Sequence, residues 1–146
     1  MTARGRSIEV ELKLALAPQD VSRLRSDPLL AIPPTARGST VHNVYFDTAD
    51  LALKQRSAAM RLRHIGRRWL QTLKHGGAGA LSSRAEWEMQ VAGPALELHR
   101  FSAPPAQQLL AELGAGLDGK FVCRFQRITR RLRWDGSDIE FALDVG

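Results

Sequence analysis

The sequence predicts an α+β fold that is mainly antiparallel β, and three features of its 146 residues support this. Apolar and polar residues alternate strictly over several segments of strand length. Turn signals rich in Gly, Pro and Asp separate these segments, so that neighbours can pair as hairpins. Few segments carry apolar residues at helical spacing. The length suits one domain with a sizeable core, so we expect a single domain over residues 1–146.

The predicted elements can be placed along the chain from these patterns. Strands are predicted over Ser7–Leu16, Thr40–Phe46, Ala58–His64, Trp69–Lys74, Arg84–Val91, Phe121–Trp134 and Ser137–Val145. Helical segments are predicted from Ala17-Pro18 through Val21, Leu24 and Leu29, at Asp50–Lys54 as a helical or turn-like connection, and most clearly at Pro105–Leu113. A flexible loop is predicted over residues 75–83, which are rich in Gly, Ala and Ser.

Composition limits the classes of function. The net charge of +6 and the sequence pI of about 10.4 favour an anionic partner. Cys123 is the only cysteine, so an intrachain disulfide and a cysteine-rich metal site are both excluded. No apolar run approaches the ~20 residues that span a bilayer, and no signal-peptide core follows the basic N-terminus. We therefore expect a cytoplasmic protein with no membrane partner.

The first predicted strand carries the pattern that points to chemistry. In Ile8-Glu9-Val10-Glu11-Leu12-Lys13, the two glutamates and the lysine share one face of the strand. Same-face neighbours lie about 7 Å apart, so two carboxylates can share a hard cation while the lysine holds an anion. This arrangement suits a metal–phosphate complex. An ordinary half-buried strand with a solvated charged face would show the same pattern.

Charges of opposite sign lie on different predicted strands. Acidic pairs are Glu9/Glu11, Glu86/Glu88 and Glu140/Asp144, whereas basic residues are Arg61/Arg63, Lys74, and then Arg124, Arg127, Arg131 or Arg133. If the sheet curls with these faces inward, acidic and basic side chains both line a wet cavity. Small barrels usually have apolar interiors, so a charged interior needs a ligand that compensates its charges. An open sheet with its polar face in solvent explains the alternation but not the segregation of sign.

Six ordered motifs resemble the CYTH superfamily, also called triphosphate tunnel metalloenzymes, over nearly the whole chain. Glu9-Val10-Glu11-Leu12-Lys13 matches the ExExK signature of that family. The further matches are Tyr45-Phe46-Asp47-Thr48, Met60-Arg61-Leu62-Arg63, Thr72-Leu73-Lys74, Arg84-Ala85-Glu86-Trp87-Glu88 and Ile139-Glu140-Phe141-Ala142-Leu143-Asp144. The sequences around Arg84–Glu88 and Phe125-Gln126-Arg127 are most similar to those of the bacterial inorganic triphosphatase branch.

The resemblance implies an antiparallel β-barrel tunnel with flanking helices that hydrolyses or cyclises triphosphates with Mg²⁺ or Mn²⁺. By position, Glu9, Glu11 and Lys13 would be catalytic. The implied metal ligands are Glu9, Glu11, Glu86, Glu88, Glu140 and Asp144. The implied phosphate-binding residues are Lys13, Arg61, Arg63, Lys74 and Arg84, together with Arg127 or its neighbour Arg124. The four histidines, His42, His64, His75 and His99, are expected to be surface or loop residues, and the three tryptophans are expected to pack on the outside of the barrel.

The chain departs from the family pattern at its end. In the family a further strand with another E-x-E pair follows the Asp144 segment, whereas this sequence ends at Gly146. We expect a barrel that lacks its last strand, as in a C-terminally truncated domain. The open edge would favour a homodimer.

Several functions remain open at this point. The leading hypothesis is metal-dependent hydrolysis of a triphosphate, with inorganic tripolyphosphate as substrate. Thiamine-triphosphatase-like or class IV adenylyl-cyclase-like activity would use the same fold, and a non-catalytic polyphosphate- or nucleotide-binding module is the non-enzyme hypothesis. A nucleic-acid-binding β-domain fits the pI but not the acidic pairs, which would repel a phosphate backbone.

Overall fold

A computed structural model describes residues 7–76, 81–113 and 116–146, with the side chains of residues 7–9 and 81–83 excepted. Its strands are β1 (Ser7–Leu12), β2 (Ser39–Asp47), β3 (Ala58–Ile65), β4 (Arg68–His75), β5 (Leu81–Val91), β6 (Asp118–Trp134) and β7 (Ser137–Val145). Its helices are α1 (Val21–Arg25), α2 (Ala52–Gln55) and α3 (Pro104–Ala111), with 3₁₀ turns at Pro18–Asp20 and Leu98–Arg100. The described strands form one antiparallel sheet in the order β1-β5-β4-β3-β2-β6-β7, which confirms the predicted fold class.

The predicted ends of the first strand and of the first helix were wrong, because strand pairing fixes one and a turn fixes the other. β1 ends at Leu12, not Leu16, because Leu12 pairs with Leu81, the first residue of its partner β5. Leu14 beyond it is 80% exposed. The first helix ends at Arg25 and does not reach Leu29, since the Asp27 side chain accepts a hydrogen bond from the Leu29 N–H and closes a turn there.

The predicted loop over residues 75–83 is shorter in the structure. β4 ends at His75 and β5 already begins at Leu81. Residues 77–80 lie outside the part of the chain that the structure describes.

The apolar face of the sheet is covered by the two later helices. The core consists of Ala52, Leu53, Met60, Leu73, Trp87, Phe101, Ala106, Leu109 and Leu113. It joins α2 and α3 to the central strands β3, β4 and β5, and each large side chain buried there contributes about 1.5–3 kcal/mol. Trp87 is 3% exposed, as expected for outer packing, whereas Trp134 is 59% exposed.

Asp47 fixes the start of α2. Its Oδ1 accepts hydrogen bonds from the N–H groups of Thr48 and Leu53 at 2.8 and 2.9 Å, and its Oδ2 accepts one from Lys54 at 3.1 Å. Leu51 takes the left-handed conformation, with φ of 59°, in the intervening turn. The Asp-Thr pair of the Tyr45–Thr48 motif therefore has a structural role, since it ties the end of β2 to the helix that covers the core.

None of the helices in the described part of the chain is long and apolar enough to cross a membrane.

Candidate functional site

One face of the sheet collects the ionisable side chains because of the way the strands pair. Arg61 on β3 lies opposite Thr72 on β4, and Thr72 lies opposite Glu88 on β5. Residues directly opposite in an antiparallel sheet share a face, so these three form one row across it. We call this side the charged face. The predicted site residues that occupy it by register are Glu9, Glu11, Arg61, Arg63, Lys74, Arg84, Glu86, Glu88, Arg127, Glu140 and Asp144.

The sheet curls so that the charged face is concave. β1 and β6 are the first and sixth strands in the sheet order. In a flat sheet they would be about 24 Å apart, since neighbouring strands are spaced by about 4.8 Å. Yet the Glu11 carboxylate on β1 lies close enough to Arg127 on β6 to favour its charge. The curl therefore brings the two flanks of the sheet toward each other across a cavity.

A hydrogen-bonded group occupies the middle of this cavity. Arg61 Nη2 donates to Thr72 Oγ1 at 3.2 Å and lies 3.5 Å from Glu88 Oε2. The Thr72 hydroxyl in turn donates to Glu88 Oε2 at 2.9 Å. The Arg61 side chain is only 11% exposed, and its buried Nε has no hydrogen-bond partner in the described residues. The guanidinium is thus held firmly on one edge and keeps unused donor capacity.

Arg63 is the cation with the least compensation. Its Nε donates to the buried Asn43 Oδ1 at 2.9 Å, and no carboxylate of the described residues lies within ion-pair distance of it. Burial lowers the pKa of Arg63 to about 10, and the nearby charges of Arg61 and Arg127 act in the same direction. Arg63 stays charged at neutral pH, so the protein holds three arginines together at an electrostatic cost that a bound anion would relieve.

Arg127 and Lys74, two further cations of the charged face, are paired with carboxylates. Arg127 makes a two-point contact with Asp144, with Nε–Oδ1 and Nη2–Oδ2 distances of 2.7 and 2.8 Å. These bonds raise the pKa of Arg127, although burial opposes them, and the charges of Glu11 and Glu140 also raise it. Lys74 Nζ lies 3.6 Å from Glu86 Oε2, and both side chains are about 15% exposed. Most carboxylates here therefore neutralise a neighbouring cation.

Glu11 makes an ion pair but has an oxygen that accepts no hydrogen bond within the described residues. Its Oε2 is buried and has no hydrogen-bond partner in the described residues, and Lys13 Nζ lies 3.8 Å away. Lys13 follows the end of β1 and its side chain is 73% exposed. Glu9 holds the next position of the same face, and its side chain lies outside the described residues.

The carboxylate oxygens of β1 are of the chemical type that binds a hard divalent cation. An orphaned carboxylate oxygen on Glu11 is the kind of ligand that Mg²⁺ or Mn²⁺ prefers. Within residues 7–76, 81–113 and 116–146, however, no group of three or more His, Cys, Asp or Glu side chains is gathered as a metal site. Among the described side chains, Glu11 is therefore a candidate ligand, and Glu9 holds the next same-face position of β1.

Three side chains of this region have placements that sequence reasoning missed or left open. Arg124 pairs with His42, which puts it on the opposite face of the sheet from Arg127. Asn43 binds Arg63, and the predicted pairing of their strands could have revealed this. Tyr45 stacks on Phe121 beside Arg61, with ring centroids 4.6 Å apart and planes at 13°. No pattern in the sequence indicated this aromatic pair.

Comparisons with known proteins agree with the architecture. Residues 7–146 match the family model of the CYTH domain. A "putative adenylate cyclase" from Bacillus halodurans superposes with a TM-score of 0.68 at 23% identity, over 97% of this chain and 75% of that one. A "putative adenylyl cyclase" from Hippeastrum, described as having a dominant triphosphatase activity, superposes with a TM-score of 0.55 at 18% identity, over 94% of this chain and 71% of that one. At these identities the two likenesses show the fold.

Proposed function

Because the chain belongs to the CYTH domain family, whose model matches residues 7–146, we propose that it is a metal-dependent triphosphatase that hydrolyses inorganic tripolyphosphate to pyrophosphate and phosphate. The observation that carries this proposal is the group of Arg61, Arg63 and Arg127 on one concave face, with Arg63 lacking a carboxylate partner in the described residues. A polyanion is the ligand that would compensate such a group, since arginines bind phosphate oxygens in two-point fashion.

The basic residues of the charged face would bind the phosphate chain. They are Arg61, Arg63, Lys74, Arg84 and Arg127, with the exposed Lys13 at the rim. In phosphoryl transfer, positive groups at fixed positions stabilise the charge that spreads over the transferred phosphoryl group and the leaving group. Arg124 is left out of this set because it faces the other side of the sheet.

The two glutamates of β1 would hold Mg²⁺ or Mn²⁺. When bound, such an ion supplies charge compensation for the phosphate oxygens and orients a water for in-line attack. We assign Glu86, Glu88, Glu140 and Asp144 to a different task. These carboxylates position the basic side chains. Glu86 lies 3.6 Å from Lys74, Glu88 binds Arg61 and Thr72, and Asp144 binds Arg127. Glu140 lies 3.9 Å from Arg131 on the neighbouring strand.

The proposal is tested by phosphate release from tripolyphosphate with and without Mg²⁺ or Mn²⁺. We expect metal-dependent turnover, and we expect Glu9→Gln with Glu11→Gln to reduce it severely while the thermal melt stays cooperative. Glu112→Gln is the matched control, since this half-exposed glutamate pairs with Arg56 beside α3, on the face of the sheet opposite the cavity. Collapse of the fold in the double variant, or turnover that is independent of metal, would contradict the assignment.

A substitution at Arg61 tests whether the basic residues of the charged face bind phosphate. Replacing it with Ala should cost about 2–4 kcal/mol of transition-state stabilisation, by analogy with loss of an oxyanion-hole donor. A rate within twofold of the wild type would remove Arg61 from the site.

A non-catalytic polyphosphate-binding module is the second candidate. It is favoured by one observation: the phosphate-binding side of the cavity is well formed, whereas no cluster of three metal-binding side chains is gathered in the described residues. Tight tripolyphosphate binding with no phosphate release under any metal would support it. Assays with ATP and thiamine triphosphate, read for phosphate and for cyclic AMP, separate both candidates from the cyclase that the names of the structural neighbours suggest.

A further inference from the structure

A second polar site lies on the face of the sheet opposite the cavity. A groove of about 420 Å³ is lined by Ser39, Thr40, His42, His64, Gly66 and Arg124. Its residues come from β2, β3 and β6 and from the turn between β3 and β4. This volume is in the range of small-molecule sites, so the groove can take more than a single water.

The groove is built on one row of side chains across three strands. His64 on β3 lies directly opposite His42 on β2, and His42 lies directly opposite Arg124 on β6. Side chains at opposite positions are neighbours, so two imidazoles and one guanidinium face the same small volume. His42 and His64 were expected to be surface or loop residues; both instead lie within strands and are half-buried.

Two contacts support the row. His64 stacks on Trp69 of β4, with ring centroids 4.3 Å apart and planes at 16°. This stacking fixes the plane of the imidazole. Next to the row, Gln126 Nε2 donates to Thr40 Oγ1 at 2.7 Å, so the Thr40 hydroxyl has its own proton left to donate.

Acidic side chains are absent from the lining of the groove. Arg67, in the adjoining turn, adds an exposed cation. On β4, the same face carries Trp69 and Gln71, and Gln71 is bound to the backbone of Glu97. The Glu97 carboxylate is itself held by Arg100 at 2.9 Å. The groups that face the two histidines from the neighbouring strands are therefore cationic, aromatic or hydroxylic, which disfavours a metal cation and favours an anion.

We propose that this groove is a second anion-binding site, distinct from the cavity. The groove would bind a tetrahedral oxyanion of the phosphate class, either as the free ion or as the phosphate group of a small organic ester. Arg124 supplies permanent charge and two-point hydrogen bonds. His42 and His64 add imidazole nitrogens from the two neighbouring strands. The hydroxyl of Thr40 completes the donors.

The test reads the imidazole resonances of His42 and His64 by NMR, since these report on the groove and not on the cavity. Sulfate is the first probe; inorganic phosphate and ribose 5-phosphate follow, to separate a free ion from an ester. We expect sulfate to shift both resonances. Arg124→Gln should weaken binding about tenfold.

Two variants make the test specific. Arg133→Gln is the matched control, because this arginine is 75% exposed on the same strand and faces away toward Asp138. Lys74→Gln perturbs the cavity at the other end of β4, so sulfate should shift the two histidine resonances as in the wild type. The inference is overturned if sulfate and phosphate shift neither histidine, if Lys74→Gln abolishes the shifts, or if Zn²⁺ binds the pair more strongly than either anion.

Discussion

Replacing Arg63 with Gln separates stability from ligand binding in the cavity. Arg63 is buried enough, and near enough to Arg61 and Arg127, that its pKa falls to about 10. Its one hydrogen bond in the described residues goes to Asn43 at 2.9 Å. The substitution therefore removes an unfavourable charge and a favourable hydrogen bond at the same time.

The two effects on the free energy of unfolding have opposite signs. Loss of the bond to the buried Asn43 costs about 1–2 kcal/mol, and relief of repulsion and desolvation offsets it, so we expect Arg63→Gln to lie within about 1 kcal/mol of the wild type. Loss of one charged contact to phosphate costs about 2 kcal/mol, or about 30-fold in Kd. At a free tripolyphosphate concentration of 100 times the wild-type Kd, the ligand then stabilises the wild type by about 2.7 kcal/mol and the variant by about 0.9 kcal/mol.

Chemical denaturation with and without tripolyphosphate measures both numbers in one experiment. Arg56→Gln is the control, because this arginine pairs with Glu112 beside α3 on the opposite face of the sheet, and the variant should gain as much from ligand as the wild type does. If Arg63→Gln is destabilised by more than about 3 kcal/mol without ligand, Arg63 is a structural residue and the charge argument fails. If the variant gains as much from tripolyphosphate as the wild type, the ligand does not contact Arg63.

Three further predictions concern the supports of the fold and of the cavity. Asp47→Asn should lower the free energy of unfolding by about 1–3 kcal/mol in urea titration, because one of its three backbone donors would face an amide NH₂; no change would mean that the carboxylate does not hold α2. The hydrogen bond from Arg100 lowers the pKa of Glu97, so this pair adds stability above the usual carboxyl pKa and loses it as the pH falls below that value. Arg100→Met should therefore lose less stability than the wild type between pH 6 and pH 3, and an equal loss would contradict this. A Cβ at Gly38 would lie 3.0 Å from the backbone oxygen of Arg127, so Gly38→Ala should weaken tripolyphosphate binding several-fold in calorimetry, and unchanged affinity would show that Arg127 tolerates the shift.

The charged face could be predicted from the sequence because alternation fixes the side of a strand. Once Arg61 and Glu88 were placed on polar faces, antiparallel pairing made it possible for them to meet across Thr72, and they do. The resemblance to the CYTH family is confirmed by the match over residues 7–146, and the predicted mainly antiparallel fold is confirmed as well. Long regular strands carry this information locally, in every second residue.

Other features depend on tertiary context and could not be predicted in this way. Sequence reasoning left Arg124 and Arg127 as alternatives, and only the register with β2, where Arg124 meets His42, assigns them to opposite faces. The end of β1 depends on where its partner begins, at Leu81. The end of α1 depends on a single side-chain contact, from Asp27 to the N–H of Leu29. Local propensity contains none of these contacts.

The pairing within the cavity has a consequence for how a polyanion would enter. Arg127 is held by Asp144 and Arg61 by Glu88, so a phosphate group that binds either arginine must compete with a carboxylate that is already in place. Arg63 has no such competitor in the described residues. First contact of the ligand with Arg63 is therefore the least costly step, and exchange at the two paired arginines would follow. If this order holds, Arg63→Gln should slow association more than Arg127→Gln does. Stopped-flow measurement of the association rate in the two variants tests the order, and equal association rates would contradict it.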